Sequence, residues 1–391
     1  MVALVSTASC IHSCKWSPGA AFPRLCAPSL VSGIFHDMCR VSLSHSSAFR
    51  SPKSVYSSCG GNFPGDRVSK RLHTRAKVGT SVEEQLRELP GDGKLNKIWH
   101  LLPSGLRLEV LSTEACENSE KKPPLVFVHG SYHAAWCWAV HWLPYFSSLG
   151  YDCYAISLLG QGASDVPSES GPGGTIQTHA RDISHFISQH CIQPPVLVGH
   201  SFGGLVVQYY LSQLSTDTMT SIKSYGWSEP YPPLAGAVLA CSVPPTGNTA
   251  VVKRFLMSRP IASIKVTLSL AAKMFATSVS LCRETFFSPS MPEGDVAHYQ
   301  KLMKESSKVP LFDLRNLNST LPVPPPVKNS PSILVLGAEN DFILDKQGIE
   351  ETASYMGTKE VIVPGIAHDI MLDMGWRDAA NVLESWMQTT L

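Results

Sequence analysis

The sequence predicts an α/β protein with a mostly parallel sheet covered by helices on both faces, and three observations carry that expectation. Short apolar runs of strand length alternate with helical patterns over most of the chain, and strands separated by helices pair in parallel. The string Gly199-His200-Ser201-Phe202-Gly203 stands directly after one such strand and directly before one such helix. At 391 residues the chain is long enough to bury a sizeable core without staples.

The first part of the chain is a different material. Residues 1–77 are rich in Ser, Cys and small side chains and hold ten basic residues, from Lys15 to Lys77, against only Asp37 and Asp66. That composition is the one import sequences use, and no compact apolar run follows a charged start as in a secretory signal. Residues 1–77 are therefore expected to be a disordered plastid transit peptide that directs the protein to the chloroplast. Mitochondrial import is the second reading and a tail without an address the third. The folded domain is expected over 78–391.

After a polar helical stretch at 81–88, the segments NKIWHLL and LRLEVLST flank Pro103-Ser104-Gly105 and predict an antiparallel hairpin. The alternation follows: strand LVFVHG, helix AAWCWAVHWLPYFSSLG, strand DCYAISLL, helix THARDISHFISQH, strand PVLVGHS and helix GGLVVQYYLSQL. Strand GAVLACSV comes next, and strand SILVLG, helix KQGIEETASYM, strand KEVIVPG and helix AANVLESWMQ close the chain. Residues 244–326 hold helical patterns without a convincing strand and are expected to form a helical cap over the active site. Residues 215–233, polar and punctuated by Gly226, Pro230, Pro232 and Pro233, are expected to be a surface loop.

Composition narrows the partners. Lys and Arg total 32 against 31 Asp and Glu, so no charge excess draws the chain to nucleic acid, and small or neutral substrates fit better. The 11 cysteines show neither CxxC pairs nor zinc spacing and read as reduced thiols. No run of 18 apolar residues is free of charge; the nearest, 261–282, is interrupted by Lys265 and Lys273. That segment suits covering a greasy chain or resting on a membrane surface, and an amphipathic helix packed on the sheet edge is the plainer reading.

The chemistry centres on Ser201. In a G-x-S-x-G turn between strand and helix the glycines allow a turn too tight for side chains, and the serine hydroxyl is pushed out at the sheet's C-terminal edge. His129-Gly130-Ser131, ending the earlier strand, is where a second loop would complete an oxyanion hole with the backbone NH groups of Ser131 and Phe202. A base must reach the hydroxyl, and the chain order serine, acid, histidine requires it to lie beyond Ser201. Of His298 and His368, His298 sits in a polar helical stretch, whereas His368 follows strand KEVIVPG and is the expected base. The acid is expected at the end of strand SILVLG, as Asp341 ahead of Glu339. Asp369 and Asp373 are expected to be cap or surface partners. His129 and His200 are read as packing and hydrogen-bonding supports, and His133, His141, His179, His185 and His190 as surface or interface residues. Trp136, Trp138, Trp142 and Tyr145 are read as the core face of their helix, with Trp136 near enough to the oxyanion loop to line a pocket.

With the HG loop, the elbow, the acid strand end and the late histidine in order, residues 97–391 resemble the α/β-hydrolase superfamily. The stretch HGSYHAAWCW is similar to the loop of plant methylesterases and hydroxynitrile lyases. SLLGQGASD resembles the D-x-x-G-x-G-x-S-D turn of many members, with Ser157 in place of the leading Asp. Taken with its import-like extension, the whole chain looks closest to plastid hydrolases of prenyl-lipid metabolism, near the chlorophyll dephytylases and the hydrolase linked to vitamin E synthesis. The resemblance implies an α/β-hydrolase fold and hydrolysis of a lipophilic ester, such as the phytyl ester of a chlorophyll-type molecule, with the phytol released for tocopherol synthesis. It also implies peripheral contact with plastid membranes, at the envelope or the thylakoid. The expected mechanism needs no metal or organic cofactor. Galactolipid, acylglycerol or small methyl esters remain alternative substrates, and a ligand-binding receptor on the same fold is the alternative of another class.

Overall fold

The computed structural model describes residues 95–116, 122–168, 171–214 and 231–391. The transit peptide expected at 1–77, the helix expected at 81–88 and most of the loop expected at 215–233 lie outside them.

Hydrophobic alternation builds the centre. Strands β1 (Asn96–Leu101) and β2 (Arg107–Thr113) form the antiparallel hairpin, in register from Asn96↔Ser112 to Leu101↔Arg107. Strand β3 (Leu125–Val128) leads to two short helices, α1 (Trp136–Ala139) and α2 (Trp142–Ser148). Next come β4 (Cys153–Ile156), α3 (Ile176–His190), β5 (Val196–His200), α4 (Phe202–Gln213) and β6 (Gly236–Ala240). The eight strands make one sheet in the order β1-β2-β4-β3-β5-β6-β7-β8, where β7 is Ser332–Ala338 and β8 is Glu360–Val363. From β4 onward every pairing is parallel, while β2 runs antiparallel to β4. This is the α/β-hydrolase fold that the sequence predicts.

Because successive strand residues point to opposite faces, each central strand feeds two cores. Leu125 and Phe127, Val196 and Val198, and Leu334 and Leu336 join the core beneath α1, α2 and the C-terminal helix α11 (Trp376–Thr390). Val126 and Val128, Leu197, and Ile333 and Val335 join the core beneath α3, α4 and α10 (Lys346–Tyr355). Each such side chain, removed or nearly removed from water, contributes up to roughly 1.5–3 kcal/mol.

Two helical expectations are corrected. The single helix expected from residue 134 to 150 is broken between α1 and α2, where His141 has φ −131. Pro144 is the reason: it has no NH to donate to the Val140 carbonyl, and its ring would collide with that carbonyl in a continuous helix, although it fits the first turn of a new one. In the cap, the pattern from 261 to 279 ends as a helix at Ala271, because Lys273 turns left-handed at φ 53. Between β6 and β7 the structure places α5 (Thr249–Ser258), α6 (Pro260–Ala271), a 3-10 turn at Met274–Ala276, α7 (Val279–Phe286), α8 (Glu293–Ser306) and α9 (Leu314–Ser319). Among the described residues no named strand lies between β6 and β7.

Candidate active site

Strand β5 stops at His200 and helix α4 begins at Phe202, so Ser201 alone makes the turn, at φ 53 and ψ −119. An L-residue with a side chain is strained there, and the crossing is held from both sides. The Ser201 NH donates to the Ala240 carbonyl at 3.1 Å, and the Ser201 carbonyl accepts from the Val243 NH at 3.1 Å. The neighbouring loop approaches closely: a Cβ on Gly130 would lie 2.8 Å from the Ser201 Cβ, and one on Gly203 would lie 2.4 Å from the His129 carbonyl oxygen. The amides of Ser131 and Phe202 have no acceptor among the described residues. Phe202 opens α4, so its NH is among those that a helix leaves unsatisfied and that carry the positive end of its dipole.

His368 lies in the loop after β8 and Asp341 in the loop after β7, two parallel neighbours, so the sheet brings them together. The His368 Nδ1 donates to Asp341 Oδ2 at 2.7 Å. The other carboxylate oxygen is fixed by the NH groups of Ile343 at 2.7 Å and Leu344 at 2.9 Å. Burial works to lower the His368 pKa, but the carboxylates of Asp341 and Asp369 outweigh it and raise the imidazole above its usual range. Ser201 and His368 line one cavity, which opens toward solvent. Glu339 is exposed and accepts from the Gly365 NH at 2.9 Å, bracing the histidine loop from outside. His298 is also exposed, on α8, and does not line this cavity.

The supporting histidines are neutral hydrogen-bonding parts. His129 accepts the Leu158 NH at Nε2 (3.0 Å) and donates from Nδ1 to the Gly130 carbonyl (2.8 Å). His200 donates from Nε2 to the His368 carbonyl at 2.9 Å. Burial in the sheet pushes both pKa values down to about 3.

Several residues are not where sequence reasoning expects them. His133, expected at a surface or interface, is buried; its Nδ1 donates to the Ser131 carbonyl at 2.9 Å and its Nε2 to Asp369 Oδ2 at 3.0 Å. Asp369 is likewise fully buried rather than a surface partner. Burial works to raise its carboxyl, and the imidazoles of His133, His200 and His368 overcome this and hold it below its ordinary range. This second His–Asp pair clamps the loop after β3 to the loop after β8. Its only sequence signal is the position of His133 two residues after Ser131, because the partners are 236 residues apart. Asp373 is a cap partner, though a buried one: it accepts from the NH of Ser288 at 2.7 Å, from its Oγ at 2.6 Å, and from the Ala367 NH at 3.0 Å. His179 is buried too, with its Nε2 3.3 Å from the Leu311 carbonyl. Trp136 donates its indole NH to Ser306 Oγ at 2.7 Å and stacks between His133 and Tyr299 without lining the cavity. At the turn where Ser157 replaces an aspartate, the carboxylate comes from Glu109 of β2, which accepts from Ser157 Oγ at 2.8 Å and from the Ala163 NH at 2.9 Å.

Two groupings bring three possible metal ligands within 4.8 Å of one another, His200–His368–Asp369 and Cys241–Asp341–His368. Both depend on His368, whose Nδ1 is occupied by Asp341, and they are parts of the same hydrogen-bonded network. Chemically, the arrangement suits a buried base held in one tautomer in the same cavity as a strained serine and near two free amides, as addition to a carbonyl requires.

The family model described as "Alpha/beta hydrolase family" matches residues 125–381. Among curated proteins, 101 residues are 30% identical to "Putative methylesterase 13, chloroplastic" of Arabidopsis thaliana, covering 26% of this chain and 22% of that protein. A further 105-residue match at 30% identity is to norfluorocurarine synthase 1 of Strychnos nux-vomica, covering 25% of this chain and 38% of that protein. The chain thus spans well under half the length of either relative. Among solved structures, an esterase from Exiguobacterium antarcticum superposes with a TM-score of 0.52 at 17% identity, covering 75% of this chain and 100% of that one. A hydrolase from Pseudomonas aeruginosa superposes with a TM-score of 0.52 at 17% identity, over 75% and 98%. At such identities the likeness is one of fold.

Proposed function

This chain belongs to the alpha/beta hydrolase family, and on that premise we propose that it is a plastid serine hydrolase cleaving a lipophilic carboxylic ester. The observation that carries the proposal is the 2.7 Å hydrogen bond between Asp341 and His368, which lines the same cavity as Ser201 at its strained turn. Ser201 Oγ attacks the ester carbonyl as His368 Nε2 takes its proton. Asp341 keeps the imidazole in the right tautomer and stabilises its charged form. The NH groups of Ser131 and Phe202 receive the oxyanion, each supplying a few kcal/mol. His368 then returns the proton to the departing alcohol, and water attacks the acyl-serine by the reverse proton path.

The lining supports a lipophilic substrate: Val252, Phe255, Val266, Leu270, Phe286 and Phe342 offer an apolar enclosure. A phytyl ester of a chlorophyll-type molecule is the substrate that the chain's resemblance to plastid prenyl-lipid hydrolases favours, with phytol released for tocopherol synthesis and the protein in peripheral contact with plastid membranes. The composition of residues 1–77 supports a chloroplast address, as does the name of the chloroplastic relative from Arabidopsis thaliana. That relative's name also supports a second reading, a smaller methyl ester.

The test is labelling of the full chain with a fluorophosphonate probe beside Ser201→Ala and His368→Ala, followed by phytyl, galactolipid and methyl esters. Wild type is expected to label, both variants to lose labelling, and phytol release to identify the substrate. Folded wild type that does not label sinks the hydrolase reading and leaves a binding protein in its place.

A further inference from the structure

The cap carries an apolar face that the described residues leave uncovered. On helix α6, Ser263, Val266 and Leu270 turn inward and line the cavity. Helical spacing then sends Ile261, Ile264 and Leu268 to the other side, where they are 84%, 51% and 43% exposed. Met257 at the end of α5 (77% exposed) and Met274 just beyond α6 (42%) extend the same stretch. Of the eleven large exposed apolar side chains among the described residues, five lie between Met257 and Met274. Scattered exposed apolar residues are ordinary, but a concentration of this kind marks an interaction surface.

The charge carried by this stretch of chain has one sign. Residues 249–276 contain Lys253, Arg254, Arg259, Lys265 and Lys273 and neither Asp nor Glu. Arg254 is taken by Asp345 and Lys265 by Glu284 of α7. Lys253, Arg259 and Lys273 are exposed, and no carboxylate lies in ion-pair reach of them among the described residues. Arg259 rests over the Phe342 ring and Lys273 over the Tyr132 ring, which hold these two cations at the rim of the cavity.

We propose that the outer face of α6 docks on an anionic lipid bilayer, with Met257, Ile261, Ile264 and Leu268 entering the acyl boundary and Lys253, Arg259 and Lys273 meeting headgroup phosphates. An apolar stripe rimmed by cations matches such a surface in both its hydrophobic and its electrostatic parts. A second copy of the chain matches it poorly, because an isologous contact would set these cations against themselves. The proposal deepens the lipophilic-ester reading and rests on it for its purpose: the inner face of the docking helix lines the cavity holding Ser201, so an ester leaving the bilayer meets the reacting group under the same helix.

The experiment is sedimentation of the full chain with vesicles of phosphatidylcholine containing about 30% phosphatidylglycerol, an anionic surface of the kind that polybasic segments bind. Wild type is expected to pellet. The Ile261→Asp/Ile264→Asp double variant and Lys253→Glu/Arg259→Glu are each expected to bind at least about tenfold more weakly, and raised salt is expected to weaken wild type. The Ile261→Asp/Ile264→Asp protein should still label with fluorophosphonate and cleave a soluble 4-nitrophenyl ester like wild type, which separates lost docking from unfolding. Equal pelleting of wild type and that variant overturns the proposal. So does light scattering that shows a wild-type dimer which the variant abolishes, with no vesicle binding by either. If wild type pellets but neither labels nor cleaves, docking stands and the hydrolase reading falls.

Discussion

Asp341 and Glu339 lie two residues apart in one loop, yet only Asp341 faces the imidazole, while Glu339 holds a backbone NH at the surface. On the proposed mechanism Asp341→Asn lowers kcat on a soluble ester by about 10³–10⁴-fold, whereas Glu339→Gln stays within a few-fold of wild type. The pH profile belongs to the same pair. His368 must be neutral to accept the serine proton, and the nearby carboxylates raise its pKa. The acid limb of kcat/KM should therefore have its midpoint above the ordinary 6.5 and move down in Asp341→Asn. The raised pKa also stabilises the fold at low pH, a contribution lost as pH rises through the folded value. A midpoint that Asp341→Asn leaves unmoved assigns the limb to another group.

The element that matters most is the β5–α4 turn, whose geometry depends on how closely α4 approaches the end of β3. A methyl group at Gly203 would lie 2.4 Å from the His129 carbonyl oxygen and 2.7 Å from that of Val128, both backbone atoms of a central strand end that have little room to move. Gly203→Ala must push α4 outward, carrying the Phe202 NH with it. We expect a loss of about 1–3 kcal/mol in urea unfolding together with a fall in kcat on a soluble ester. A normal kcat in a destabilised variant would show that the Phe202 amide has no part in the reaction. Elsewhere a single residue sets element boundaries, as Pro144 does by dividing α1 from α2.

For the molecule as a whole, the buried histidines govern acid stability. His129 and His200 are pushed down to about 3, and His100 and His179 to about 4, chiefly by burial. The unfolded chain binds protons first, so these groups withdraw stability as pH falls below about 6.5, by roughly 2 kcal/mol each at pH 5 for the fully enclosed His129 and His200. His368 shifts the other way and offsets part of this, but the depressed histidines, which include His141 as well, outweigh one raised. The urea midpoint is expected to fall clearly between pH 7 and pH 5. A constant midpoint would mean that these imidazoles are not held neutral.

The order of strands and helices was legible in the sequence because hydrophobic period and glycine placement act over a few residues. The Gly199–Gly203 turn, the position of His368 after β8 and that of Asp341 after β7 were readable for the same reason. The His133–Asp369 clamp was not, since strand order rather than local pattern sets residues 236 apart against each other. Nor was the carboxylate of Glu109 beneath Ser157, which depends on β2 pairing with β4. The outer face of α6 was equally hidden. That helix is apolar on more than one side, so its pattern alone left open which side faces the core; the packing of the cap turns Val266 inward and leaves Ile261 in solvent. The sequence by itself determined the fold and where the candidate site residues stand along it, and only the tertiary structure decided which distant groups meet and which apolar face stays uncovered, because those outcomes depend on packing between segments that no local period encodes.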